Sequence, residues 1–93
     1  MKTIDWQLAS ECLRVLAHPE RLKVIHLLLA EELSVGDLAE RCGLAQSVMS
    51  EHLTLLKRQG MLSSRKEGRR VFYFVQEPSL TSIINCIEKR FTS

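Results

Sequence analysis

The side chains of this sequence best suited to chemistry are polar and cationic, and they fall in two groups. The first lies between Gln46 and Arg58. At about 100° per residue on a helix, Gln46, Ser47, Ser50, Glu51, Thr54, Lys57 and Arg58 share one arc of about 140°. Val48, Met49, His52, Leu53, Leu55 and Leu56 fill the opposite arc. One face therefore packs, and the other shows short polar groups followed by cations. Short side chains let a helix come close to the major groove, where Gln pairs with the edge of adenine and Ser and Thr reach bases or phosphates. A face that was only solvated would more often carry long Glu and Lys residues in salt-bridge spacing. The second group is Arg65, Lys66, Arg69 and Arg70 around Gly68, cations able to reach phosphates or a narrow minor groove. The candidate contacts to double-stranded DNA are thus Gln46, Ser47, Ser50, Glu51, Thr54, Lys57, Arg65, Lys66, Arg69 and Arg70.

Other chemistry finds little support. No nucleophile has a base at a recognisable spacing, and there is no phosphate loop or metal-binding run, so the chain is not expected to be an enzyme or to carry a cofactor. His18, His26 and His52 lack partners at metal spacing and read as structural, with His52 packed and hydrogen-bonded in the middle of the apolar arc. Cys12, Cys42 and Cys86 are far apart and odd in number, without a C-x-x-C or a disulfide-scaffold pattern. Reduced thiols in a reducing compartment are the default.

The elements that must position these residues follow from periodicity. Apolar positions from Ile4 to Leu16 (Trp6, Leu8, Ala9, Cys12, Leu13, Val15, Leu16) form a broad helical stripe. Pro19 suits the first position of a second helix running to about Leu29, with His18 at its N-cap. Ser34-Val35-Gly36-Asp37 resembles a capping box that starts a short third helix through Leu38 and Ala39 to Arg41, and Gly43 can close it. The fourth helix runs from Gln46 to Gln59 and ends at Gly60; with the third it makes a helix-turn-helix candidate. Leu62–Lys66 and Val71–Gln76 then read as two strands of a hairpin with a glycine-containing basic tip. Pro78 opens a last helix whose Leu80, Ile83, Ile84, Ile87 and Phe91 make a narrow seam of the kind that packs against another helix.

Bulk properties agree with a single domain over residues 1–93. The chain is 45% hydrophobic and 26% charged, ordinary values for a folded domain, and so short a chain often enlarges its core by pairing. Between Lys57 and Arg70 stand six basic residues and one acid, a net +5 against +2 for the chain, so the remainder carries −3. A basic stripe on an acidic body is the electrostatic footprint of a nucleic-acid binder. No apolar run is long enough to cross a bilayer, and the N-terminus has no signal-peptide stretch; a cytoplasmic protein with no membrane partner is expected.

Four segments also carry a recognisable pattern: Leu16-Ala17-His18-Pro19-Glu20-Arg21-Leu22, Glu32-Leu33-Ser34-Val35-Gly36-Asp37-Leu38, Gln46-Ser47-Val48-Met49-Ser50-Glu51-His52-Leu53, and Gly60-Met61-Leu62 followed by Arg65 to Tyr73. In this order they resemble the ArsR/SmtB family of bacterial repressors over nearly the whole chain. The resemblance implies a mainly α winged helix-turn-helix of order α-α-α-α-β-β-α. Its fourth helix enters the major groove, its hairpin is the wing, and a homodimer forms through the first and last helices. By that likeness Leu8 and Cys12 would meet Leu80, Ile83, Ile84, Ile87 and Phe91 at the dimer interface. It also implies repression relieved when an inducer binds.

Many members sense metals, through cysteines in the stretch matching Glu32–Leu38 or through Asp and His on the last helix. This chain has Ser34 and Gly36 in the first place, and neither Asp nor His between Leu80 and Arg90. Asp37 alone suits a thiophilic metal poorly, so no metal site is expected. Cys12 and Cys86, on the two helices that the family pairs, are the candidate thiol sensors, beside the plainer reading that all three cysteines are small buried hydrophobes. The inducer, the operator and the choice between repression and activation stay open at this level. The competing function is a winged-helix protein-interaction module, which would call for a larger exposed apolar patch and no clustered cations.

Overall fold

Three of the five helices among the described residues begin at a side-chain cap that the local sequence supplies. In the computed structural model, which describes residues 2–93, the Asp5 carboxylate accepts from the Leu8 N–H at 3.0 Å and opens α1 (Trp6–Leu16). His18 is extended and its Nδ1 accepts from the Glu20 N–H at 3.2 Å, with Pro19 at the first position of α2 (Pro19–Ala30). The expected capping box is complete: the Asp37 N–H donates to Ser34 Oγ and the Ser34 N–H to Asp37 Oδ2, both at 3.2 Å, starting α3 (Val35–Cys42). Gly43, at φ 66°, closes α3 in the left-handed conformation that costs glycine nothing. Then follow α4 (Gln46–Arg58), the hairpin and α5 (Leu80–Phe91).

The sheet holds one strand more than the sequence pattern suggests. Leu33–Ser34 forms β1, which pairs antiparallel with β3 (Arg70–Val75) and places Leu33 opposite Tyr73 and Ser34 opposite Phe72. β3 in turn pairs with β2 (Leu62–Glu67), so the order across the sheet is β1-β3-β2. Two residues show no alternation to read; β1 exists because β3 offers an open edge beside it. The hairpin tip is Gly68-Arg69 between the paired Glu67 and Arg70, and Gly68 has the positive φ, 62°, that a tight two-residue turn demands at its first position. The last helix starts at Leu80 rather than at Pro78, because the Ser79 N–H and hydroxyl both donate to the Glu77 carboxylate and hold Pro78-Ser79 in a turn.

α2 is the central element, packed against α1, α3, α4, α5 and β3. Val24 and Ile25 from α2 join Leu38, Met49, Leu53, Leu56, Met61, Leu62, Leu80 and Ile84 in the core. α1 contributes less than its sequence promises: only Leu16 is buried there, while Trp6, Leu8 and Leu13 stand exposed. The apolar arc of α1 spans about half its circumference, wider than the contact with α2 and α4 can cover. On α5, Leu80 and Ile84 lie inside the chain's own core, so the seam still open on that helix consists of the half-buried Ile83 and Ile87 and the exposed Phe91.

Candidate nucleic-acid interface

The two faces of α4 separate as the helical count requires. Met49, His52, Leu53 and Leu56 are buried; Gln46, Ser47, Ser50, Glu51, Thr54, Lys57 and Arg58 are exposed. Val48, expected to pack, is instead 40% exposed, because it lies about 90° from the middle of the buried set. Ala45, before the first turn, gives no side-chain cap, so the N–H groups there remain free to face a phosphate. Thr54 donates its hydroxyl to the Ser50 carbonyl at 2.8 Å and so presents its methyl group and oxygen lone pairs outward.

One hydrogen bond and one shared cleft connect this helix with the hairpin. Lys57 Nζ donates to Ser64 Oγ of β2 at 2.7 Å. At the other end, Gln46 shares an open cleft of about 470 Å³ with Ser34, Gly36, Asp37, Arg69 and Arg70. The polar face of α4 and the hairpin tip therefore form one continuous surface.

The four hairpin cations are not equivalent. Arg65 is held by Glu32 at 2.8 Å and by Glu67. Arg70 donates to Asp37 Oδ2 at 3.2 Å and to Ser34 Oγ at 3.1 Å. Both guanidinium groups lie over the Phe72 ring, each 5.1 Å from its centroid, a geometry favourable to a cation on an aromatic face. Lys66 and Arg69 are exposed and make no ion pair among the described residues. The sequence shows a uniform cluster, whereas the fold binds two cations to itself and leaves two for a polyanion. Of the three acids that do this, Glu67 is two residues from Arg65, whereas Glu32 and Asp37 are more than thirty residues upstream of the arginines they pair with, brought alongside by the β1–β3 register.

Behind the helix, Arg21 Nε donates to Nδ1 of the buried His52 at 3.1 Å, and the His18 ring lies 4.7 Å from that of His52. His52 thus packs and is hydrogen-bonded, and burial pushes its pKa below the usual value, with the nearby His18 and Arg21 adding to the effect. Cys12 is half-buried on α1, Cys42 half-buried in the last turn of α3 and Cys86 exposed on α5, all three as free thiols. Burial, above all, pushes the Cys42 thiol up. Among the described residues no three His, Cys, Asp or Glu side chains gather as metal ligands, and Ser34 is occupied as a helix cap and an acceptor from Arg70.

Residues 18–64 match the model of the bacterial regulatory protein family called arsR. The chain is 37% identical over 79 residues to the transcriptional activator HlyU of Vibrio cholerae, an alignment that takes in 85% of this chain and 73% of that one. The chain belongs to the arsR family. Its structure agrees: a solved HlyU of Vibrio cholerae superposes with a TM-score of 0.86 at 33% identity, covering 97% of this chain and all of the other. The transcriptional repressor BigR of Xylella fastidiosa gives 0.85 at 28% identity over 91% of this chain and 87% of its own. This arsR-family chain is accordingly a winged helix-turn-helix and a DNA-binding transcription regulator, with α3 and α4 as the helix-turn-helix and β2–β3 as the wing. No helix among its described residues is long and apolar enough to cross a membrane.

Proposed function

We propose that this regulator is a homodimeric repressor that grips an operator with α4 in the major groove and the β2–β3 wing on the flanking backbone, and that an inducer releases it. The observation that carries this reading is the single surface made by the polar face of α4 and the two unpaired wing cations, Lys66 and Arg69. Gln46, Ser47, Ser50 and Thr54 give it groups for base edges; Lys57, Arg58, Lys66 and Arg69 give it charge for phosphates. Pairing is supported by Trp6, Leu8 and Leu13 on α1 and Phe91 on α5, large apolar side chains that a single chain leaves in water. It acts as a regulator without catalysis of its own, in a reducing cytoplasm where its thiols stay free. Release acts through α1 and α5, the helices that carry Cys12 and Cys86, by a thiol change rather than by a metal.

A binding titration on the DNA upstream of the protein's own gene tests this, with the protein first reduced and then mildly oxidised. The expected result is binding that weakens steeply with salt, disappears on oxidation and returns with reductant. Tight binding indifferent to oxidation would retain the repressor and remove the thiol switch. No sequence preference in either state would remove the repressor as well.

A further inference from the structure

The polar face of α4 and the margin beside it carry two residues that a plain phosphate-binding surface would not. Glu51 is exposed on that face and has no ion pair or hydrogen bond among the described residues. An unpaired carboxylate there repels the phosphates that Lys57, Arg58, Lys66 and Arg69 attract. Val48, one helical turn earlier, is an apolar side chain 40% exposed. At about 200° and 140° around the helix from Gln46, the two stand side by side on the flank of α4 away from Gln46 and Ser50. We infer that this flank reads pyrimidines: Glu51 accepts from the N4 amino group of a cytosine, and Val48 packs on the 5-methyl group of a thymine one or two base pairs away.

The assignment follows from what each base shows in the major groove. A carboxylate accepts and cannot donate. Adenine's amino group stands beside the N7 acceptor, which a carboxylate would meet lone pair to lone pair. Cytosine presents a donor, and guanine presents acceptors only, so cytosine is the base that fits Glu51. The one apolar group in the groove is the thymine methyl, which fits Val48. Residues three apart on a helix have Cβ atoms about 5–6 Å apart, and base pairs rise about 3.4 Å, which sets the separation of one or two steps. Gln46 and Ser50, on the other flank, remain for purines.

This inference rests on the DNA-reading function proposed above. The test is selection of binding sites from randomised duplexes by the intact protein and by Glu51→Gln and Val48→Ala, with circular dichroism to show that both variants fold. The wild-type site is expected to contain a cytosine and a thymine within two steps. Glu51→Gln should lose the cytosine preference about tenfold or more, keep the other positions, and bind random duplex more tightly. Replacing that thymine by deoxyuridine, which deletes only the methyl group, should weaken wild-type binding about fourfold and leave Val48→Ala indifferent. An enriched site whose cytosine preference survives Glu51→Gln, or whose thymines can all become deoxyuridine without loss to the wild type, overturns this inference alone. A wild-type protein that enriches no sequence overturns the regulator reading and this inference with it.

Discussion

Arg21 Nε donates to His52 Nδ1 across 3.1 Å, and the same guanidinium donates through Nη1 to the Val15 carbonyl at 3.1 Å. One side chain of α2 therefore fixes both the end of α1 and the middle of α4. Because Nδ1 accepts, the proton of neutral His52 sits on Nε2. Protonating Nδ1 would turn the acceptor into a second donor facing Arg21 and place a charge beside the His18 ring.

The consequence is a pH dependence of stability with a definite sign. Burial first, then His18 and Arg21, hold the folded pKa of His52 below its ordinary 6.5. The unfolded chain then takes up the proton first as pH falls, so the stability tied to neutral His52 is whole above about 6.5 and drains away below it. The Tm of the wild type should drop more between about pH 7.5 and 5.5 than that of His52→Gln, which keeps an acceptor for Arg21 but does not titrate. Parallel melting curves for the two proteins across that range would sink the idea.

The Ser34–Asp37 capping box offers a second check at the joint between sheet and helix. Ser34→Ala removes an acceptor from both the Asp37 N–H and Arg70, and a lost cap of this kind costs about 1 kcal/mol, or about 4–8 °C in Tm for a chain this size. The Ser34 hydroxyl and backbone N–H also hold the Asp37 carboxyl below its usual value, with Arg70 and Arg41 helping. A depressed carboxyl stabilises above its unfolded pKa and ceases to do so as pH falls through the folded one. Asp37→Asn should therefore lie below the wild type in Tm at neutral pH, and the gap should close as pH falls below the ordinary carboxyl value of 3.8.

How far these features show in the sequence depends on whether their causes are local. The cap at His18, the box at Ser34–Asp37 and the left-handed Gly43 each depend on residues within a few positions, and the sequence names them. The division of α4 into packed and open faces follows from helical period alone. β1 does not, since Leu33–Ser34 becomes a strand only because β3 lies next to it, and with it went the pairing of Arg65 with Glu32 and Arg70 with Asp37. Leu80 and Ile84 show the same limit: their spacing marks an apolar seam, but only the fold says that α2 fills that part of it from within the chain.

The wing arginines can be told apart by salt. Each phosphate neutralised contributes about 0.9 to the slope of log K against log salt. Arg69→Ala, at an unpaired cation, should flatten that slope by about this amount and weaken binding to every sequence alike. Arg70→Ala should leave the slope nearly unchanged while loosening the wing, because its charge is already matched by Asp37 and its plane rests on Phe72. Equal flattening by the two substitutions would mean that Arg70 leaves Asp37 for a phosphate on binding.

Dimerisation is best tested at positions that the single chain does not use for itself. Ile84 is 5% exposed, so a charge there goes into the core, and a penalty of several kcal/mol against a total stability of about 5–15 kcal/mol unfolds the chain without saying anything about a partner. Leu8 and Phe91 are 62% and 73% exposed, so Leu8→Glu and Phe91→Glu should fold normally and fail only at association. Sedimentation should show dimers for the wild type and folded monomers for these two. Trp6, the only tryptophan and 74% exposed in the single chain, should emit further to the red in those monomers than in the wild type. DNA binding should weaken sharply in both, since a monomer presents one reading helix instead of two. Wild-type dimers that survive both substitutions would place the interface elsewhere than on α1 and α5.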